Sequence, residues 1–242
     1  MTEFGMTSRW GGRFATWTLW GGVGAAILAL AGSYGSGFGL WPFTIGFLFI
    51  GVALILAVLA LLFGLIALIK RAGGRGVWTG MLAALIFLGI MGYWINLGVA
   101  NPPLHDISTD LANPPAFQKL SLRSDNLIGV TTVENWRAVH AKAFPDIQPV
   151  TLAVPPAEAI KKVGAIVTAR GWDVALVAPD RIEATETASP FKFKDDVVIT
   201  VTATADGTGS VINIRSVSRI GLSDLGVNAA RVRSLMADLK AP

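Results

Sequence analysis

Residues 14–69 read FATWTLWGGVGAAILALAGSYGSGFGLWPFTIGFLFIGVALILAVLALLFGLIALI, 56 consecutive positions without a charged side chain, bounded by Arg13 and Lys70. A helix needs about 20 apolar residues to cross the hydrocarbon core of a bilayer. The stretch therefore holds two crossings and the turn between them. A second uncharged run over residues 76–104 adds a third. The spacing predicts spans over residues 14–33, 42–69 and 77–99, with a glycine-rich turn YGSGFGL over 34–40 and a basic turn KRAGGR over 70–75. Mean hydropathy over the whole chain is +0.57. The expected architecture is a membrane protein with three transmembrane α-helices followed by an α+β domain.

The 242 residues carry a net charge of +4, and its location excludes one reading of a basic protein. Residues 101–242 hold 15 basic and 15 acidic side chains, so the whole excess lies in Arg9, Arg13, Lys70, Arg71 and Arg75 against Glu3. Basic residues packed beside apolar spans are the mark of the cytoplasmic side. A nucleic-acid partner would require a basic face on a folded domain, and none is expected. The N-terminus (residues 1–13) is thus expected inside, the three-helix anchor over 14–100, and residues 101–242 on the far side. That places the chain in a bacterial inner membrane as a multi-pass protein with its C-terminal domain in the periplasm. A rival for the first span is a cleaved signal peptide ending near Ala29-Leu30-Ala31; two remaining spans would leave the domain on the same side.

The lipid bilayer is the first expected partner. Gly21, Ala25 and Ala29 stand four apart, a spacing that lets helix backbones approach closely. They serve either packing within the anchor or association with a membrane-protein partner or a second copy. No Asp, Glu, Lys, Arg or His lies inside a span, which argues against a pump or ion pathway. The absence of cysteine excludes disulfides and lipoprotein acylation.

Beyond the anchor, Asn101-Pro102-Pro103 stops the third helix. Residues 105–148 read as irregular, with one short helix over 133–144. A strand over 150–154 follows, then a helix opened by Pro155-Pro156 and closed by Gly171. Two hairpins (172–178 with 181–188, and 195–205 with 210–219) and a last helix capped by Ser223 or Asp224 complete the domain. This order predicts an antiparallel sheet with two helices. With Gly207 and Thr208 at the tip of the second hairpin, Val201 faces Ile214, Ala203 faces Ile212, Asp196 faces Arg219 and Thr200 faces Arg215.

The motifs Glu183-Ala184-Thr185-Glu186-Thr187, Phe193-Lys194-Asp195-Asp196-Val197-Val198-Ile199, Arg215-Ser216-Val217-Ser218-Arg219-Ile220-Gly221 and Asp224-Leu225-Gly226-Val227-Asn228-Ala229-Ala230-Arg231 occur in this order. The upstream Pro103-Leu104-His105-Asp106-Ile107-Ser108-Thr109-Asp110 accompanies them. Together they resemble the bacterial and plastid family named domain of unknown function 1499, over about residues 101–240. The resemblance implies a membrane-attached domain and supplies no activity. One position departs from the family's pattern: an arginine often follows the DDVVI stretch, and Thr200 stands there.

The same motifs concentrate polar side chains. Asp195, Asp196, Arg215, Ser216, Ser218, Arg219, Asp224, Asn228 and Arg231 are the candidate ligand-binding residues. Arginines bind carboxylates and phosphates through two parallel hydrogen bonds, so the candidate ligand is an anionic lipid headgroup or a cell-wall precursor. The alternative for the same residues is a structural network of Asp–Arg pairs. Catalysis by a periplasmic hydrolase or transferase would use Ser216 or Ser218, but His105 and His140, the two histidines, lie far off in the irregular segment. His105, Asp106 and Asp110 are a weak metal set. No metal, cofactor or catalytic residue is expected, and the leading expectation is a non-enzymatic envelope component.

Overall fold

The computed structural model describes the backbone of residues 3–241 and the side chains of residues 10–241, so the side chains of Glu3 and Arg9 lie outside the described residues. The chain divides into two compact units. One runs to Ile95 and takes in Ser189–Lys192; the other holds Asn96–Ala188 and continues from Phe193.

The first unit is built from α1 (Glu3–Gly37), α2 (Phe43–Ile69) and α3 (Arg75–Ala100), the last of which ends in the second unit. Their apolar stretches, Trp10–Gly37, Phe43–Ile69 and Arg75–Ala100, are long and apolar enough to cross a membrane. At 1.5 Å per residue each is about 40 Å long, against a hydrocarbon core of roughly 30 Å. Side-chain placement inverts that of a water-soluble helix. On α2 the buried positions are Gly46, Ala53, Ala57, Ala60, Gly64 and Ala67, while Phe47, Leu48, Ile55 and Leu62 face outward. Small residues inside permit close backbone approach, and large apolar ones outside meet lipid. Gly21 lies where a methyl group would come within 3.2 Å of Ala60 Cβ, and one at Gly22 would collide with the Gly80 carbonyl. Ala25 is fully buried in a cluster with Ala53, Ala57 and Ala60, and Ala29 packs at its edge. The Gly21–Ala25–Ala29 ladder is thus used within the anchor itself.

The second unit contains β1 (Asp106–Ser108), α4 (Val133–Ala143), β2 (Val150–Leu152), α5 (Pro156–Ala169), β3 (Asp173–Ala178), β4 (Arg181–Ala188), β5 (Phe193–Ala203), β6 (Ser210–Ser218) and α6 (Val227–Lys240). The strands form one sheet in the order β1-β6-β5-β4-β3, with β2 also on β6. Every pairing is antiparallel. β1 and β2 share the free edge of β6, one along each end.

Strand side chains alternate between faces. Val197, Ile199, Val201, Ile212 and Ile214 point to one face and join Trp136 of α4, Val163 and Val167 of α5, and Val232, Leu235 and Leu239 of α6 in a single core. The opposite face is covered by a loop over residues 110–123. Glu183 Oε1 accepts from the Gln118 amide at 2.6 Å, and Oε2 accepts from the amides of Lys119 and Leu120 at 2.9 and 2.8 Å. Arg215 Nη1 donates to Pro115 O at 3.2 Å and Arg181 Nη1 to Ala116 O at 2.9 Å. Across β4, β5 and β6 the sheet therefore has two covered faces, one under helices and one under a pinned loop.

Several expectations need correction. The hairpin register is two residues off: Val201 faces Ile212, Ile199 faces Ile214, Asp196 faces Val217 and Thr200 faces Asn213. The tip is a four-residue loop closed by the Thr204 amide on Gly209 O at 3.0 Å. Asp206 accepts inside it from Thr204 Oγ1 at 2.5 Å, the Thr208 amide at 3.1 Å and Thr208 Oγ1 at 2.8 Å, and these donors hold its carboxyl down at about 2. A shift of two preserves which face each side chain takes, so the apolar face stands while its partners change. The final helix begins at Val227, later than its expected cap. Leu225 and Gly226 both adopt positive φ, 58° and 86°, turning the chain into the helix. The segment 105–148 is not wholly irregular outside its helix, because Asp106–Ser108 pairs with β6. The helix over 133–143 also joins the core, so three helices rather than two back the sheet. Gly171 ends α5 as expected, at φ 67°.

Candidate functional site: two polar networks and a cleft

Asp195 and Asp196 are neighbours in sequence and point to opposite faces of β5. That alternation splits the nine candidate residues into two networks separated by the sheet.

On the helix face, Arg231 of α6 is the hub. Its Nη2 donates to Asp195 Oδ2 at 2.6 Å, its Nη1 to Ser216 Oγ at 3.0 Å and to Asn228 Oδ1, and its Nε to Glu186. Asn228, fully buried, ties its helix to β6 and to the segment before β1. Its Nδ2 donates to His105 O at 3.1 Å and Ser218 Oγ at 2.8 Å, and its Oδ1 accepts from Ser216 Oγ at 2.5 Å. Asp224 does the work of a cap from outside the helix: Oδ1 accepts from the Gly226 amide at 2.8 Å and Oδ2 from the Asn228 amide at 2.6 Å. Burial pushes the Asp224 carboxyl upward, against those amides. Both serine hydroxyls are taken up in this network, and neither touches a histidine among the described residues. A serine nucleophile needs a base within hydrogen-bond reach, and among the described residues these two hydroxyls bond Asn228 and Arg231 instead.

On the loop face, Asp106 of β1 grips Arg215 of β6 through two bonds, Nε to Oδ1 at 2.9 Å and Nη2 to Oδ2 at 2.7 Å. Asn126 Nδ2 adds a bond to Asp106 Oδ2 at 2.6 Å, and the guanidinium lies 6.0 Å from the Trp136 ring centre. One step along the sheet, Arg219 grips Asp196 in the same way, at 2.9 and 2.8 Å, with Thr185 Oγ1 bridging the pair. The Asp196 carboxylate holds the Arg219 guanidinium above its ordinary value. The expected Asp196–Arg219 contact exists, but as a diagonal neighbour, since Val217 sits directly opposite Asp196.

The two loop-face arginines differ in exposure. The Arg215 side chain is 11% exposed and that of Arg219 is 42% exposed. Arg219 lines an open cleft of about 350 Å³. Asp196 and Ser218 contribute from the sheet, and Lys119, Leu122 and Arg123 from the loop. Arg123 is braced by Asp125, through Nε at 2.6 Å and Nη2 at 2.7 Å, and by Gly221 O at 2.7 Å. Arg219 Nη1 bonds no other group among the described residues, so two of its five N–H donors are available. Of the nine candidates, Asp196 and Arg219 present side chains on the face of the cleft, and Ser218 borders it while its hydroxyl is held on the helix face by Asn228 Nδ2. Asp195, Arg215, Ser216, Asn228 and Arg231 are buried in the networks, with Asp224 at the helix entry.

Lys119, Arg123, Glu183 and Glu186 were missed as site residues by sequence reasoning, and Asp106 was weighed only as a metal ligand, not as the partner of Arg215. Only the acidic ones sat in recognisable motifs. His105, Asp106 and Asp110 diverge: His105 Nδ1 faces Leu222 O at 3.4 Å, Asp106 holds Arg215, and Asp110 Oδ1 accepts from the Ala112 and Asn113 amides at 2.9 Å each.

The sheet, its helices and the motifs that carry both networks match one family model, described as protein of unknown function (DUF1499), over residues 106–239. The chain belongs to the DUF1499 family. The matched region spans β1 through α6, so both networks and the cleft fall inside the family's domain, while the three apolar helices precede it. No curated protein matches the chain.

Proposed function

We propose that this DUF1499 protein is a non-enzymatic component of a bacterial inner membrane, with its C-terminal domain on the periplasmic side, that binds a phosphate-bearing anion in the Arg219 cleft. The observation that carries the reading is the cleft's composition. Lys119, Arg123 and Arg219 face a space of about 350 Å³ with Asp196 as the one lining carboxylate. Arg219 keeps free donors there while Asp196 and Thr185 fix its plane. An arginine so braced has little freedom left to lose on binding. A lipid headgroup and a cell-wall precursor share the phosphate chemistry.

The test is titration of the full chain in mild detergent with dihexanoyl phosphatidylglycerol, glycerol 1-phosphate and dihexanoyl phosphatidylcholine, followed by calorimetry. Saturable binding of the first two, without binding of the zwitterionic lipid, is expected. A hydrogen bond to a charged group contributes about 1.5–3 kcal/mol, so Lys119→Ala with Arg219→Gln should weaken binding by about tenfold or more. Equal binding of the two lipids, or an unchanged affinity in the double variant, would overturn the proposal.

A further inference from the structure

The loops beside the cleft expose large apolar side chains. Leu122 is 38% exposed, Ile128 42%, Ile220 39% and Leu222 50%. They belong to two loops that are tied together, since Arg123 donates to Gly221 O at 2.7 Å and the Leu222 side chain lies over Gly129. Scattered exposed leucines are ordinary, but a contiguous group marks an interaction surface.

What covers this rim follows from its connection to α3. Leu225 Cδ2 comes within 3.2 Å of the position a Cβ on Gly98 would take. Asn101 Nδ2 donates to Leu225 O at 3.4 Å, and the Asp224 amide donates to Leu104 O at 3.2 Å. Gly98 lies inside the apolar span, two residues before its end at Ala100. At 1.5 Å per residue that is about 3 Å below the helix end. The loop that carries Ile220, Leu222 and Leu225 is therefore tied to the last turn of the apolar helix. Basic side chains, Lys119, Arg123 and Arg219, line the adjoining cleft, and peripheral surfaces combine apolar insertion with such basic groups to bind anionic lipid.

We infer that Leu122, Ile128, Ile220 and Leu222 form a rim immersed in the interfacial layer of the bilayer around α3, which opens the Arg219 cleft to the headgroups of that leaflet. The choice of headgroup as ligand rests on the anion-binding reading above; the immersion of the rim does not. The chain has no cysteine, so single nitroxide labels can be introduced without background. The full chain would carry a label at Leu122→Cys, Ile220→Cys or Leu222→Cys, with Val177→Cys as control. Val177, on edge strand β3, is 69% exposed.

In nanodiscs of phosphatidylcholine and phosphatidylglycerol, the rim labels should collide with oxygen in preference to a water-soluble nickel chelate. The Val177 label should show the reverse. Rim labels as open to nickel as the control would overturn the inference. Labels shielded from both reagents would also overturn it, because a protein partner or second copy would then be the cover. The oxygen preference should persist in Arg219→Gln, and its loss there would refute an apolar basis for immersion. A cleft that binds no anion and a rim outside the bilayer are thus separate results.

Discussion

Replacing Arg231 with methionine removes one guanidinium and leaves four groups without their donor. Asp195 is the costliest of these. Its side chain is 6% exposed, that of Arg231 is 4% exposed, and they meet at 2.6 Å. Removing one member of a buried ion pair destabilises by about 3–5 kcal/mol, because the remaining charge is left uncompensated. Glu186 adds little, its side chain being 36% exposed; water can solvate it. Ser216 and Asn228 retain each other, at 2.5 Å. The buried pair therefore sets the magnitude, and each 1.4 kcal/mol is a factor of ten. Hydrogen exchange of the β5 amides in the full chain should accelerate by about two to three and a half orders of magnitude where exchange requires domain opening. Arg231→Met with Asp195→Asn should recover part of the loss, since the uncompensated charge is gone. Acceleration below tenfold, or no recovery in the double variant, would refute Arg231 as the hub joining α6 to the sheet.

Three other outcomes follow from the geometry. His140 is buried between Trp136 and Phe144, with Nε2 accepting from the Ser108 amide at 3.2 Å, and desolvation lowers its pKa from 6.5 to about 4 against the opposing charge of Asp106. The unfolded chain binds the extra proton first, so stability is full above pH 6.5 and falls as pH drops toward 4, by at most about 3 kcal/mol; in His140→Gln this pH slope should flatten, and an unchanged slope would remove His140 as its source. For the half-exposed Asp196–Arg219 pair, Arg219→Ala should cost about 1–3 kcal/mol, between the limits for exposed and buried pairs, with partial recovery in Asp196→Ala/Arg219→Ala; strictly additive losses would show no coupling. Finally, alkaline phosphatase fused after Pro242 should be active and a fusion within residues 70–75 inactive, as the basic flanks require; an expressed but inactive C-terminal fusion would contradict the topology.

How much of this was legible in the sequence depends on range. The spans were, because 56 uncharged residues admit few other solutions, and their ends fell within a few residues of expectation except at the start of α1. The β5–β6 hairpin was legible in its faces, since alternation survives a shift of two, but not in its pairing, which the Asp206 turn decides. Asp106–Arg215 joins residues 109 apart, and nothing local announces it. β1 was missed because three residues show too little alternation to stand out from a loop. The candidate residues were recognised as polar and dense, yet treating them as one cluster ignored the alternation that sends Asp195 and Asp196 to opposite faces. Lys119 and Arg123 carry no motif; only the folding of the 110–123 loop over Glu183 and Arg215 brings them beside Arg219.

The central claim, an anion cleft at the membrane surface, meets its most direct test in native mass spectrometry of the full chain released from native membranes in mild detergent. The account predicts a bound anionic lipid on the parent protein and its loss from the folded Lys119→Ala/Arg219→Gln variant. A parent protein free of lipid adducts, or the same adducts on both proteins, would contradict it.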